Sequence, residues 1–123
     1  MKSLLSTVLF VPLAAAGLAA DTASLSGNWQ VHNSIAGNES DQTCTFTQKD
    51  AELTGTCKSE IGTVNLNGKV DGKKVSWVIK TEYNGGPLTL TYNGMLDAAD
   101  KFNGTVNVEE YSVEGDFTAT RAK

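Results

Sequence analysis

Few residues in this sequence have side chains suited to acid–base or nucleophilic catalysis, and their spacing does not combine them. His32 is the only histidine, and no serine or cysteine nucleophile is placed with it. The acidic pairs Glu109-Glu110 and Asp97/Asp100 fall in turn-like segments, whereas general acid catalysis needs burial to raise a carboxyl pKa. The sequence also lacks a glycine-rich phosphate loop, a cluster of metal ligands and a calcium-binding loop. We therefore predict a protein that is not an enzyme and that needs no cofactor or metal.

Residues 1–20 have the features of a signal peptide. Lys2 precedes an apolar run from Leu4 to Leu13, and small residues lead to Ala19-Ala20. The apolar run is short for a membrane span, and no later stretch is apolar enough to cross a bilayer. We expect cleavage near Ala19 or Ala20, which leaves residues 21–123 as one secreted or periplasmic domain.

The net charge argues against two kinds of partner. Removal of Lys2 with the signal peptide changes the formal charge from −4 to −5. A negatively charged chain is a poor partner for nucleic acid or for an anionic membrane surface. We expect a monomer that binds neither.

Cys44 and Cys57 are the only cysteines, and an even number in an exported chain predicts a disulfide. A metal site or a catalytic thiol would need partners such as histidine, and His32 stands alone. Strand pairing gives independent support, because a hairpin turn at Asp50-Ala51 places Cys44 directly opposite Cys57. Directly opposed residues can meet disulfide geometry.

From Leu25 onward, apolar and polar residues alternate, and clusters of Gly, Asn and Asp interrupt the alternation every 8–12 residues or so. This pattern is typical of an all-β sandwich or barrel, and no segment has helical periodicity. The predicted strands cover residues 26–33, 42–48, 52–58, 63–70, 74–81, 87–96, 101–108 and 112–121.

Opposed residues in a hairpin must face the same side of the sheet, and this requirement predicts further registers. The predicted pairs are Leu66 with Trp77 across Asp71-Gly72, Tyr92 with Val106 across Asp97–Lys101, and Gly104 with Phe117 in the last hairpin. One apolar face then runs through the strands, and about 100 residues cannot supply a second layer to cover it. We therefore predict an all-β fold: a single eight-stranded antiparallel up-and-down barrel.

Inward-facing positions of most strands hold glycine. Such glycines either let coiled strands bend where side chains would collide or leave space for a ligand. Large aromatic residues on the same face, including Trp77 and Tyr92, favour bending. The inward glycines are Gly27, Gly55, Gly68, Gly94, Gly104 and Gly115.

Gly27-Asn28-Trp29 on the first predicted strand and Arg121 on the last resemble the structural signature of the calycins, which include lipocalins, fatty-acid-binding proteins and avidins. In those families the tryptophan lies across the closed end of the barrel, and a basic side chain near the C-terminus packs on it. The resemblance implies a lipocalin-like or avidin-like barrel that Gly27, Trp29 and Arg121 close. The predicted register places Trp29 opposite Ala119 and Gly27 opposite Arg121.

A second similarity is to the small periplasmic inhibitors of secreted metalloproteases, which are eight-stranded barrels with one disulfide. It rests on Leu25-Ser26-Gly27-Asn28-Trp29 and on Cys44-Thr45-Phe46-Thr47. Those inhibitors insert a free N-terminal segment into the protease cleft. In this chain the corresponding segment would be Asp21-Thr22-Ala23-Ser24.

The two ends of the predicted barrel differ in their connections and charge. Turns near Trp29 are tight, whereas the opposite end is predicted to carry longer connections at residues 34–42 and 82–87. That end also has an excess of acids over lysines, namely Glu39, Asp41, Glu60, Glu82, Glu109, Glu110 and Glu114 against Lys58 and Lys80. Ligands enter barrels of this kind at the end with longer loops. The predicted ligand-binding residues are Trp77, Tyr92, Tyr83, Tyr111, Ile35 and Ile61.

These observations favour an exported, non-catalytic, lipocalin-like binding protein for a small apolar or amphipathic molecule. One alternative is a protein-interaction barrel such as a periplasmic protease inhibitor. The other is an envelope protein with no small ligand.

Overall fold

The computed structural model describes residues 24–60 and 62–122 and folds them into a closed antiparallel barrel of eight strands. This confirms the predicted fold class. The strands are β1 Gly27–Ile35, β2 Asn38–Lys49, β3 Glu52–Ser59, β4 Gly62–Asp71, β5 Lys74–Tyr83, β6 Gly86–Ala98, β7 Lys101–Val108 and β8 Val113–Arg121. The predicted signal peptide, residues 1–20, and Ile61 lie outside the described residues.

Burial alternates along most of the barrel wall, which gives an apolar interior and a polar outer surface. In β1, Trp29 and Val31 are buried, whereas Asn28 and Gln30 are exposed. Each strand pairs with its neighbours in the chain, and β1 closes the barrel against β8. Within the described parts of the chain, no helix is long and apolar enough to cross a lipid bilayer.

The connections at the end opposite Trp29 are shorter than predicted. Residues 34–42 and 82–87 were expected to form longer loops, but two-residue turns at Ala36-Gly37 and Asn84-Gly85 join the strands there. All four turn residues have positive φ, as a type I′ hairpin turn requires. Residues 38–42 belong to β2 although all of them are polar. Both faces of β2 are near solvent at the rim of the barrel, so this part of the strand does not need the apolar–polar alternation that marks a half-buried strand.

Three of the predicted registers are confirmed and two are shifted. Cys44 is opposite Cys57, Tyr92 is opposite Val106, and Gly104 is opposite Phe117. Leu66 pairs with Ile79 and not with Trp77, and Trp29 pairs with Arg121 and not with Ala119. Both shifts are of two residues, which leaves every side chain on its predicted face.

The β4–β5 shift originates in the turn. We predicted Asp71-Gly72 as the two turn residues, but Asp71 pairs with Lys74 and the turn is Gly72-Lys73. Gly72 has a φ of 61°, and a type II′ turn places glycine at its first central position. An Asp-Gly dipeptide is compatible with either placement, so the local sequence did not distinguish them.

An aromatic cluster fills the barrel from the end near Trp29 to its middle. Six aromatic side chains are at most 2% exposed, and the centroids of neighbouring rings are 4.6–6.4 Å apart. The cluster contains Trp29, Phe46, Trp77, Tyr92, Phe102 and Phe117. Leu25, which precedes β1, is fully buried and caps this end of the core.

The inward glycines leave room for neighbouring protein atoms. A Cβ on Gly94 would lie 2.9 Å from Cζ of Phe117. A Cβ on Gly104 would overlap the backbone oxygen of Asn93 on the opposite strand. Close strand approach and aromatic packing therefore explain these two glycines, in agreement with the bending interpretation.

The barrel wall is incompletely paired at the end opposite Trp29, which we call the mouth. β4 and β5 pair with each other only between the Leu66–Ile79 pair and the turn that joins them. Beyond that pair, residues 62–65 of β4 pair with β3 alone, and residues 80–83 of β5 pair with β6 alone. Residues 38–42 of β2 likewise pair with β1 but not with β3. The tip of the β3–β4 hairpin therefore lacks strand neighbours on both sides.

Candidate binding site at the barrel mouth

Arg121 and Trp29 close the end opposite the mouth. The Arg121 guanidinium carbon lies 4.6 Å from the centroid of the Trp29 indole. Its nitrogens donate hydrogen bonds to the carbonyls of Ser24 (3.0 Å), Ser26 (3.1 Å) and Ala99 (3.3 Å). This side chain thus ties the segment before β1 to the β6–β7 turn.

Two further contacts complete the closed end. The indole nitrogen of Trp29 donates to the Leu25 carbonyl at 2.9 Å, which satisfies the polar atom of a fully buried ring. A Cβ on Gly27 would lie 3.2 Å from Nη1 of Arg121. Glycine at this position therefore leaves space for the guanidinium. The structure brings together Gly27, Trp29 and Arg121 as predicted.

The predicted disulfide between Cys44 and Cys57 is present. Its S–S distance is 2.05 Å, and both half-cystines are buried in the wall between β2 and β3. The bridge lies next to the aromatic cluster and joins two neighbouring strands. Its role is structural.

A cavity of about 680 Å³ opens at the mouth, above the aromatic cluster. Its walls include the aliphatic side chains of Leu88, Leu90, Val108 and Val113. The remaining lining residues are Asn33, Ile35, Ala36, Asn38, Glu39, Ser40, Asp41, Gln42, Ser59, Glu60, Tyr83, Tyr92 and Tyr111. The barrel is thus filled at one end and hollow at the other.

Four of the predicted ligand-binding residues line this cavity: Ile35, Tyr83, Tyr92 and Tyr111. Trp77 is not among the lining residues; it stacks on Tyr92 with ring centroids 4.6 Å apart and belongs to the aromatic cluster. Ile61 is the remaining member, and its position is outside the described residues.

Polar groups lie where the cavity meets the core. The Tyr92 hydroxyl donates a hydrogen bond of 3.1 Å to Oδ1 of Asn33, which is 3% exposed. Burial raises the pKa of Tyr92, and the hydrogen bond to Asn33 offsets part of that shift. Oε1 of Gln42 is buried and has no hydrogen-bond partner among the described residues.

Asn33 and Gln42 were not predicted as site residues. Alternation along the first strand places Asn33 on the same inward face as Trp29 and Val31, so the sequence indicated its direction. Gln42 alternates in the same way with Cys44 and Phe46 in the predicted strand 42–48, so the sequence indicated its inward direction as well.

Two tyrosines stand at the rim of the cavity. Tyr83 is 53% exposed and Tyr111 is 52% exposed, and their ring centroids are 6.4 Å apart in an edge-to-face arrangement. Tyr111 ends a short 3-10 turn, Glu109–Tyr111. This turn is anchored to β6, because Glu110 accepts hydrogen bonds from the backbone (2.6 Å) and the hydroxyl (2.7 Å) of Thr89.

His32 is part of a charged cluster on the outer face of the β1–β2 hairpin. Its Nδ1 lies 2.7 Å from Asp41 and its Nε2 lies 2.6 Å from Glu39. Hydrogen bonds to Asp41 and Glu39 raise the pKa of His32. Hydrogen bonds from Ser34 and His32 lower the pKa of Glu39. The two carboxylates bind opposite edges of the ring and hold it across the hairpin.

Comparison with known proteins gives a match to the fold. No protein-family model and no curated protein matches this chain. The solved structure of a redesigned β-barrel matches with a TM-score of 0.66 and 18% sequence identity, over 89% of this chain and 96% of that one. At this level of identity the match shows that the chain has a small β-barrel fold.

Proposed function

We propose that this protein is an exported, lipocalin-like binding protein that holds a small apolar or amphipathic molecule in the mouth cavity. The observation that carries the proposal is a cavity of about 680 Å³ above an otherwise filled barrel. Small-molecule sites have volumes of about 300–1,000 Å³ and combine apolar walls with a few polar groups. Export is inferred from the signal-peptide pattern of residues 1–20.

The cavity walls supply the energy for such binding. Ile35 and Leu90 are half-buried hydrophobic residues that pack against the core and face the cavity. A ligand that covers their remaining surface removes apolar area from water, which contributes about 25 cal/mol per Å². Asn33, Tyr92 and Gln42 supply polar groups that orient one end of the molecule.

Native mass spectrometry of the protein exported by its own host is the direct test. We expect an adduct of reproducible mass that denaturation releases. In parallel, the purified protein should enhance the fluorescence of N-phenyl-1-naphthylamine, a neutral apolar probe. A protein that carries no adduct and does not bind this probe would contradict the proposal.

A matched pair of variants locates the site. Val113 lines the cavity, and its chain neighbour Glu114 is exposed on the outer face of β8. Val113→Trp should fill the cavity and weaken probe binding about tenfold or more, because it replaces space that the probe needs. Glu114→Trp should leave probe binding unchanged. Thermal unfolding of both variants checks that each is folded.

Protease inhibition through the N-terminal segment is the second candidate, and one contact favours it. Arg121 holds the carbonyls of Ser24 and Ser26, which would fix the base of a segment that enters a protease cleft. Deletion of Asp21–Ala23 should then abolish inhibition of a secreted zinc metalloprotease and leave probe binding intact. Absence of inhibition by the intact protein would rule out this candidate.

A further inference from the structure

The charged residues that line the mouth cavity are all acidic. Glu39, Asp41 and Glu60 line the cavity, and its described lining contains no basic side chain. His32 lies outside the cavity wall and pairs with two of these carboxylates. Glu39 and Asp41 point to the outer face, where they bind His32, so Glu60 is the carboxylate of the lining that this imidazole does not hold.

Glu60 supplies the least compensated of these charges. It is exposed at the tip of the β3–β4 hairpin, and it has no ion-pair partner among residues 24–60 and 62–122. Glu109 and Glu110 bind Thr91 and Thr89 on the outer face of β6 at the same end, where Lys80 lies opposite Thr89 and offsets part of their charge. A concave site whose lining carries charge of one sign favours ligands of the opposite sign.

The aromatic rim fits the same class of ligand. Tyr83 and Tyr111 are about half exposed beside the cavity, and their rings stand edge to face. Aromatic faces attract ammonium groups, and aromatic side chains are used in this way to bind quaternary amines. The apolar walls below the rim suit a hydrocarbon body.

From these features, and resting on the proposed function, we propose that the ligand is an amphipathic organic cation. Its ammonium group lies at the rim between Glu60 and the Tyr83–Tyr111 pair, and its apolar body lies in the cavity. The neutral walls select for hydrophobic length, whereas the rim selects for charge.

Three probes that share an octyl chain test the charge preference: octylammonium, octanol and octanoate. Each is titrated against N-phenyl-1-naphthylamine bound to the exported protein. We expect octylammonium to displace the probe at about tenfold lower concentration than octanoate, with octanol between them. The preference should shrink when salt is raised from about 20 mM to about 500 mM, because salt screens the rim charges.

Two charge-neutralising variants give the matched control. Glu60→Gln, in the cavity lining, should reduce the preference for octylammonium over octanoate about threefold or more. Asp97→Asn, at an exposed position of β6 near the closed end of the barrel, removes the same charge and should leave the preference unchanged. Equal displacement by all three probes, or a preference for octanoate, would overturn the cation assignment and leave the proposed function standing. Failure of the native protein to bind the naphthylamine probe at all would overturn both.

Discussion

The Arg121 guanidinium lies over the Trp29 indole, 4.6 Å from the ring centroid, and its nitrogens bind three backbone carbonyls from two segments. One side chain from the last strand therefore fixes both the tryptophan of the first strand and the chain that precedes it. Hydrogen bonds from a charged donor are stronger than neutral ones, and the cation–π contact adds to them.

Replacement of Arg121 tests this closure. Arg121→Gln should lower the free energy of unfolding by about 2 kcal/mol, since glutamine can neither stack as a cation nor reach all three carbonyls. Urea unfolding measures the loss. Lys73→Gln removes a positive charge from an exposed turn at the same end and should change stability by less than about 0.5 kcal/mol. Equal losses of unfolding free energy in the two variants would show that Arg121 acts through its charge alone and not through these contacts.

The Cys44–Cys57 bridge closes a loop with a sequence separation of 13. Cys44→Ala/Cys57→Ala should reduce the free energy of unfolding by about 3 kcal/mol, mainly because the unfolded chain gains freedom. Thr47→Ser/Thr54→Ser changes a nearby opposed pair on the outer face and should cost less than about 1 kcal/mol. An unchanged thermal midpoint after reduction of the native protein would argue against a stabilising bridge.

Gly104 faces Gly94 across β6 and β7. Gly104→Ala should destabilise the barrel by about 3 kcal/mol, because the added methyl group would overlap the backbone of the opposite strand. Gly86→Ala is the control, since its methyl group would come no closer than 3.9 Å to another residue. Chemical denaturation of the two variants should differ accordingly. If Gly104→Ala were as stable as Gly86→Ala, strand approach would not explain this glycine.

The His32 cluster should stabilise the β1–β2 hairpin within a limited pH range. The pKa of His32 is raised from its ordinary value of 6.5, so its contribution is fully present below that pH and is lost as pH rises through the folded-state value. The pKa of Glu39 is lowered from 4.5, so its contribution is present above that pH and is lost on acidification through the folded-state value. The combined effect is greatest between these two ordinary values.

Thermal midpoints measured from about pH 4 to about pH 8 test this window, because the series extends beyond both ordinary pKa values. The difference between the native protein and His32→Gln should peak near the middle of the series and fall at its alkaline end. Gln30→Ala changes an uncharged residue on the same face of β1, so its effect should not depend on pH. Asp41→Asn should lower the pKa of His32 seen by NMR titration, because it removes a hydrogen-bonding carboxylate.

Much of the fold followed from local patterns. Side-chain alternation predicted which residues face inward, and turn residues placed most strand ends within a few positions of those observed. The opposed cysteines supplied one register without reference to other strands. Two registers were shifted because a two-residue slip changes no side chain's face, so hydrophobic pattern alone cannot detect it.

The candidate site was predicted in part. Side-chain alternation and strand direction predicted that Ile35, Tyr83 and Tyr111 lie at one end of the barrel, and they line the cavity there. The expected long loops are absent from the described chain, and splayed hairpin tips surround the cavity in their place. The sequence pattern did not pair His32 with Asp41, because the polar residues 38–42 of β2 do not alternate with apolar ones, yet the two residues are directly opposed.

The sequence by itself determined the class of fold, the face on which each strand residue lies and the cysteine pairing, because these depend on local alternation and on adjacent strands. Tertiary structure decided where the interior is filled and where it is hollow. That outcome depends on how aromatic side chains from different strands share one volume, as Trp77, Tyr92 and Phe117 do. Close packing of this kind is a property of all the strands together, and no single segment of sequence encodes it.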